Sequence, residues 1–184
     1  MARIDPPDDD ALSERDRELL AEIAEIHGFV PNQHELEAHF PLLLRSLLDL
    51  NRRVMLAGDL DPTLLETIAL LLADENDCEY CFHYHAMQLE QRSGVDRADV
   101  ETLQGDWRDA SFAPRRAALV EFALQINEDP HAVTDADVEA LLDRGLTTQD
   151  LVQLVHFVNV MRGYNLFNVV FQTDLDEASG GWTH

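Results

Sequence analysis

Two cysteines and a histidine stand close together in the chain, at Cys78, Cys81 and His85. At about 100° per residue, a helix through them places all three on one stripe, with His85 between the two thiols around the axis. If the helix begins near Cys78, its unpaired N–H groups and its dipole stabilise a thiolate, and the pKa of such a Cys-x-x-Cys thiol falls to roughly 3.5–7.5. A histidine one turn further on can accept or relay the proton. The trio therefore predicts a thiol site that attacks a peroxide or a disulfide, after which the second cysteine closes an intramolecular disulfide.

Glu66 is the candidate carboxylate that orients His85. It stands twelve residues before Cys78, in a segment that is otherwise apolar almost all round. A buried glutamate needs a partner, and His85 is the expected one. Tyr80 and His83 fall on other faces of a regular helix and are secondary candidates. We interpret His83 as an exposed or capping histidine.

Two other interpretations of the cysteine pair stay open. The cysteines could be buried structural thiols, although a pair this close is a weak cross-link because it closes a very short loop. They could also bind zinc, with Cys78, Cys81, His85 and Glu66 as the four ligands. Structural zinc usually takes a second Cys/His pair, and the chain has only these two cysteines. In a chain with no signal peptide, we favour the redox interpretation.

The elements around this motif are all predicted to be helical, since no segment shows sustained strand alternation. Caps, glycine stops and apolar periodicity predict helices over about 13–28, 41–57, 62–74, 78–92, 96–105, 114–127, 135–144 and 148–173. Asn76 and Asp77 are expected to cap the helix that carries the cysteines. The fold class is therefore all-α, with one multi-helical domain over 13–173, a disordered acidic leader over 1–12 and a loose C-terminal tail over 174–184.

Polar residues outside the motif give weaker signals. We expect five histidines at the surface, namely His27, His34, His39, His131 and His184, whereas His156 lies in an apolar segment and is expected in the core. The last helix is unusually polar at Asn159, Arg162, Tyr164, Asn165 and Asn168. These residues line either the thiol site or a subunit contact, and the sequence does not separate the two.

The charge balance is strongly acidic, with 36 acidic and 13 basic residues and a formal net charge of −23. Every basic residue is arginine. Such a surface repels nucleic acid and anionic lipid, so neither is an expected partner. It is typical of proteins that fold in concentrated salt, although a GC-rich genome also replaces lysine by arginine. The first residues have no apolar core of the kind that a signal peptide has. No apolar run is long enough to span a membrane, so we expect a cytoplasmic protein.

The motif resembles the signature of alkylhydroperoxidase D-like proteins, which belong to the carboxymuconolactone decarboxylase superfamily. The matching residues are Glu66, then eleven residues, then Cys78-Glu79-Tyr80-Cys81-Phe82-His83-Tyr84-His85. The flanks Gly28-Phe29-Val30-Pro31-Asn32 and Leu60-Asp61-Pro62 are also similar, and the resemblance covers roughly residues 28–172. The best-known peroxidases of the family carry a histidine at the position of Tyr80. The tyrosine resembles the peroxidase-related branch instead, and the missing histidine argues against strong peroxidase activity.

The resemblance implies an all-helical, antioxidant thiol enzyme without a cofactor. It implies that Cys81 is the attacking thiol, that Cys78 is the proton donor and resolving thiol, and that Glu66 and His85 form the proton relay. A hydroperoxide or disulfide would be the substrate, and a thiol reductant of unknown identity would recycle the enzyme. Decarboxylase members lack the cysteine pair, so lactone decarboxylation is not expected.

The resemblance also implies a homo-oligomer, often a trimer or a hexamer. Independently of it, the segment 148–173 carries more apolar residues than a domain of 184 residues needs for its own core. Such an excess is typical of an obligate interface.

Overall fold

The computed structural model describes residues 1–179 and residue 182. In that part of the chain it contains nine α-helices and no strand, which confirms the all-α fold. The helices are α1 (Glu14–His27), α2 (Asn32–Glu37), α3 (Pro41–Leu56), α4 (Pro62–Glu75), α5 (Glu79–Gln91), α6 (Arg97–Asp106), α7 (Pro114–Glu128), α8 (Asp135–Asp143) and α9 (Thr148–Phe171). The short helix α2 was not predicted.

Helix α4 lies at the centre of the molecule, where it packs on α5, α7, α9 and α3. Pro62 occupies its first turn and the Asp61 carboxylate accepts the Thr63 N–H at 2.8 Å, so the start is fixed by local chemistry. Nine of its fourteen residues are buried. A helix that is apolar on all sides has to be surrounded, and this requirement brings α5 and α9 against it.

The turn between α4 and α5 is short and specific. Asp77 adopts a left-handed conformation with φ of 52°, which aspartate tolerates better than most residues. The Cys78 N–H then donates to Ala73 O at 2.8 Å. Cys78 itself, rather than Asn76 or Asp77, is the N-cap of α5, so the sequence prediction of this cap was wrong by one or two residues. Asn76 instead pairs through its side chain with Asn127 on α7.

The two chain ends have defined contacts with the domain, in contrast to the disordered leader and loose tail expected from the sequence. The Arg3 N–H donates to Phe171 O at 2.7 Å, which attaches the leader to the end of α9. After α9 the chain turns back, and the Asp176 carboxylate, only 4% exposed, accepts the Asn32 N–H at 2.7 Å. Trp182 is buried beneath the guanidinium of Arg97. Four residues of the expected tail, 180, 181, 183 and 184, lie outside the described residues.

Within the described residues, the helices are too short or too polar to cross a lipid bilayer.

Candidate active site

The two cysteines form a disulfide at the start of α5, with 5.3 Å between their Cα atoms. Both are buried, Cys78 to 1% and Cys81 to 4% exposure. The Sγ atom of Cys78 accepts the N–H of Cys81 at 3.4 Å, as an N-cap side chain does. The cap hydrogen bond therefore reaches the sulfur of Cys78 and not that of Cys81.

His85 lies one turn beyond Cys81 and is paired with Glu66 of α4. The Nδ1 atom of His85 is 2.8 Å from Glu66 Oε2, and both side chains are partly buried. A carboxylate only accepts hydrogen bonds, so the proton of a neutral imidazole sits on Nδ1. The Nε2 atom is then left as the acceptor, which is the arrangement required of a general base.

A small cavity of about 70 Å³ reaches the site from the side of α1, α2 and α3. Cys81 and His85 line this cavity, whereas Cys78 does not. A molecule in the cavity would therefore meet only one of the two sulfurs. The volume admits a few waters or a small reacting group, and it does not admit a folded protein segment.

Tyr80, between the two cysteines, is directed away from them towards the C-terminal segment. Its hydroxyl donates to Asp176 Oδ2 at 2.9 Å and accepts the Gln33 N–H at 3.3 Å. Burial, followed by the Asp176 charge, raises the pKa of the Tyr80 hydroxyl. Burial also raises the pKa of Asp176. Tyr80 thus joins α5 to α2 and to the C-terminal segment.

Tyr84, one turn later on α5, holds the end of α1. Its hydroxyl is 2.7 Å from His27 Nδ1. Burial, with smaller contributions from His34 and Arg92, lowers the pKa of His27 to about 4. Burial raises the pKa of Tyr84. Both shifts favour the neutral forms, so the tyrosine O–H donates to an uncharged imidazole.

The sequence did not distinguish between the five polar residues of α9, whereas the structure gives them different surroundings. Asn168 Nδ2 lies 3.4 Å from Cys81 Sγ, and Tyr164 lines the cavity. Asn165 instead donates to Leu72 O in α4 at 3.1 Å. Asn159 and Arg162 are exposed. Two of the five residues thus belong to the site and one to the core.

Several histidines lie where the sequence did not predict them. His83 is only 4% exposed and packs at the edge of the Phe82 ring, so the prediction of an exposed or capping residue was wrong. It does not line the cavity. His34 is buried and binds Glu37 at 2.8 Å, because α2 folds over the site instead of forming an exposed connector. His156, expected in the core, is exposed on α9.

Sequence reasoning missed the contribution of α2 and α3 to the cavity, namely Gln33, His34, Leu48 and Asn51. A signal was present for part of it. His34 and Glu37 have the i,i+3 spacing of a helical pair, which could have indicated a short helix after Pro31. Gln33 and Asn51 have no such local signal, since only packing brings them to α5.

A second and larger cavity, of about 510 Å³, opens between α7 and α8. It is lined by carboxylates and arginines and includes neither cysteine. Volume alone therefore does not identify the reactive site, because the residues able to form a nucleophile and base lie at the smaller cavity.

Comparison with known proteins gives the same fold and family. The carboxymuconolactone decarboxylase family matches residues 41–125. An uncharacterised peroxidase-related protein from Ralstonia eutropha, described as an alkylhydroperoxidase core, has a similar structure with a TM-score of 0.88, 25% identity and coverage of 97% of this chain and 94% of that chain. An uncharacterised peroxidase-related protein from a Silicibacter species gives a TM-score of 0.90, 23% identity and coverage of 98% and 94%.

A more distant structure is a debrominase, solved as a cysteine-to-alanine variant in complex with 2,3,4-tribromopyrrole. It gives a TM-score of 0.78 at 15% identity, with coverage of 95% of this chain and 91% of that chain, and shows similarity of fold alone. No curated protein sequence matches the chain significantly.

Proposed function

We propose that the chain is a thiol oxidoreductase of the carboxymuconolactone decarboxylase superfamily, in its alkylhydroperoxidase D-like, peroxidase-related branch, and that it reduces hydroperoxides or disulfides. The observation that carries this proposal is the cavity shared by Cys81 and His85, from which Cys78 is excluded. It supports Cys81 as the attacking sulfur and Cys78 as the resolving one.

The reaction with a hydroperoxide begins from the reduced dithiol. His85 accepts the Cys81 proton at Nε2, while Glu66 stabilises the charge that the imidazole gains. The thiolate attacks the terminal oxygen of the hydroperoxide, so that an S–O bond forms and the O–O bond breaks. His85 returns the proton to the leaving alkoxide, which departs as an alcohol and leaves a sulfenic acid on Cys81.

The Cys78 thiol completes the cycle by attacking the sulfenic sulfur. Water leaves, and the product is the Cys78–Cys81 disulfide. Two equivalents of a thiol reductant then restore the dithiol and are themselves oxidised to a disulfide. A disulfide substrate would be reduced by thiol exchange at the same two sulfurs. Because both sulfurs are buried, the molecule that meets Cys81 has to be small or to present a narrow arm.

Single-turnover consumption of tert-butyl hydroperoxide by the reduced protein tests this proposal. We expect the wild type to consume one equivalent and form the disulfide. Cys78→Ser should also consume one equivalent and then stop at a sulfenic acid that dimedone traps, because no other cysteine can resolve it. Cys81→Ser should consume none. Consumption by Cys81→Ser equal to that of the wild type would refute Cys81 as the nucleophile.

The zinc alternative is tested on the same preparations. In the reduced protein both thiols would be available as ligands with His85 and Glu66. Metal analysis after purification under reducing conditions should find no stoichiometric zinc. Stoichiometric zinc that is lost in Cys78→Ser would overturn the redox proposal in favour of a metal-binding protein.

A further inference from the structure

Asn168 of α9 lies directly against the sulfur that we propose as nucleophile. Its Nδ2 atom is 3.4 Å from Cys81 Sγ, and the residue is only 2% exposed. A disulfide sulfur is a weak acceptor of hydrogen bonds, whereas a thiolate is a charged one. The contact is therefore worth most in the reduced state, in which the enzyme would attack its substrate.

The orientation of this amide is fixed by its neighbours. Gln33 Nε2 donates to the Glu37 carboxylate at 3.2 Å, so the Gln33 amide oxygen has to face the other way. Asn168 Nδ2 meets that oxygen at 2.7 Å and the Tyr164 carbonyl at 3.0 Å. Both are acceptors, so the –NH₂ end of Asn168, and not its oxygen, is the end that faces Cys81. Its two hydrogens meet three acceptors, so the Cys81 sulfur shares one hydrogen with a carbonyl, and a charged thiolate is the stronger competitor for it.

Cys81 needs such a donor because the start of α5 does not supply one. The Cys81 N–H, which the helix start offers to a thiolate, is directed to Cys78 Sγ. Cys81 is also buried, and burial disfavours the charged form of a thiol. His85 can remove the proton, but the negative charge left on the sulfur still requires a hydrogen-bond donor.

The Asn168 amide carries a cost that a purely structural residue would avoid. Its Oδ1 atom is buried and has no hydrogen-bond partner within the described part of the molecule. A buried polar atom without a partner destabilises the folded state. The amide therefore points to a role for the –NH₂ group, which contacts the reactive sulfur.

We propose that Asn168 stabilises the Cys81 thiolate of the reduced protein through an amide hydrogen that the sulfur shares with a neighbouring carbonyl oxygen. The inference rests on the proposed function, since it concerns the same nucleophile. It adds a residue from α9 that stands 87 positions away in sequence and lies outside the motif. In this arrangement the helix start serves the resolving sulfur and Asn168 serves the attacking one.

The test is the pH dependence of Cys81 alkylation by iodoacetamide in the reduced Cys78→Ser background, where Cys81 is the only thiol. We expect Asn168→Leu to raise the pKa of Cys81 by about one unit, and so to slow alkylation about tenfold well below the pKa. Asn168→Asp keeps the shape but places a carboxylate beside the sulfur, so it should raise the pKa further. Asn168→Ala gives a third variant should the leucine not fit.

Asn165→Leu is the matched control, because it removes a buried α9 asparagine that binds the Leu72 carbonyl instead of a sulfur. It should lower stability and leave the Cys81 pKa unchanged. An unchanged pKa in the folded Asn168 variants, or an equal shift in Asn165→Leu, would overturn the inference. Wild-type consumption of hydroperoxide and of a small disulfide reports separately on the proposed function: the absence of both, with the Asn168 shift present, would refute that function alone.

Discussion

The hydrogen bond from His85 to Glu66 determines how the imidazole of the site is presented. Glu66 approaches Nδ1 at 2.8 Å, so the ring is held by its inner nitrogen and Nε2 remains for proton transfer. Neither side chain is fully exposed, so the positive charge that the imidazole gains on accepting a proton is screened less by salt than a charge at the surface. We therefore expect the two residues to act as a unit with unequal contributions.

His85→Ala should raise the Cys81 pKa and slow peroxide reduction by roughly 10²–10⁴-fold, the usual contribution of a positioned base. Glu66→Gln should slow it less, because the glutamine still orients the ring but no longer stabilises its charge. Stopped-flow reduction of a hydroperoxide, with iodoacetamide alkylation against pH, measures both effects.

His83→Ala is the control for this ranking. His83 is buried on the same helix without lining the cavity, so its loss should lower the unfolding midpoint and leave the Cys81 pKa unaltered. A larger shift of the Cys81 pKa in His83→Ala than in His85→Ala would mean that His83 is the base.

The elements around the site are held together by hydrogen bonds between distant segments. Tyr80 of α5 binds Asp176 of the C-terminal segment, and Asp176 also binds the backbone at the start of α2. Tyr84 of α5 holds His27 at the end of α1. These bonds position the wall of the cavity, and the His27 bond depends on a neutral imidazole.

Stability should therefore fall in mild acid because of His27. Its pKa is lowered from 6.5 to about 4 in the folded chain, so the unfolded chain takes up a proton between these values that the folded chain does not. Proton uptake by the unfolded state stabilises that state, and the free energy of unfolding decreases as pH falls through this window.

His27→Asn tests this expectation, since asparagine keeps an acceptor for Tyr84 but does not titrate. The thermal midpoint of the wild type should fall more between pH 7 and pH 5 than that of the variant. The exposed His131→Asn serves as control and should behave as the wild type does. Equal pH dependence in the wild type and His27→Asn would contradict the assignment.

On the scale of the whole molecule, α3 and α9 carry apolar side chains that no other described residue of the chain covers. The more exposed ones are Leu42, Leu43, Leu50, Leu56, Val152, Val155, Leu166, Val169 and Val170. The two helices pack on each other, so these residues lie on neighbouring elements. Apolar surface of this kind is typical of an interface between subunits.

We propose that the chain forms a homo-oligomer, a trimer or a hexamer, through these helices. Leu166 is 67% exposed, and Leu166→Asp should lower the molar mass by placing a charge in the interface. Leu142→Asp on α8, outside these two helices, is the control and should not lower the molar mass. Light scattering at micromolar concentration in molar KCl measures the mass. A monomeric wild type would refute the proposal.

The net charge of −23 should make stability depend on salt. Carboxylates far outnumber arginines, so repulsion between them opposes the compact state, and it is strongest in dilute buffer, where the Debye length is long. Most ion pairs among the described residues have exposed partners and contribute little to stability, so little stability is lost when salt screens them. The thermal midpoint should therefore rise from dilute buffer to molar KCl.

A variant with Asp8, Asp9 and Asp10 replaced by asparagine provides the comparison. These side chains are exposed, and the replacements remove three of the 36 acidic residues. The variant should show a smaller rise with salt than the wild type. A midpoint that stays flat or falls with KCl in the wild type would contradict adaptation to high salt.

The sequence by itself determined what depends on local chemistry. Ser13 and Thr134, each with an aspartate three residues on, begin α1 and α8 as predicted, because a capping box is complete within four residues. The helical period likewise placed Cys81 and His85 on one stripe, because it depends only on the spacing of the two residues within one helix. Glu66 also followed from the sequence, since a carboxylate in an apolar helix requires a partner and the next helix offered His85.

The tertiary structure alone decided what surrounds that stripe. Gln33 and Asp176 reach α5 from segments far away in the chain, and their local sequence carries no sign of it. The polar pattern of α9 left open whether Asn168 meets the thiol site or a subunit contact, and only the packing places it against Cys81. Helical periodicity gives the direction of a side chain relative to its own axis, but not the helix that it will meet. The surroundings of Cys81 are therefore set by how α2, α5 and α9 pack around α4.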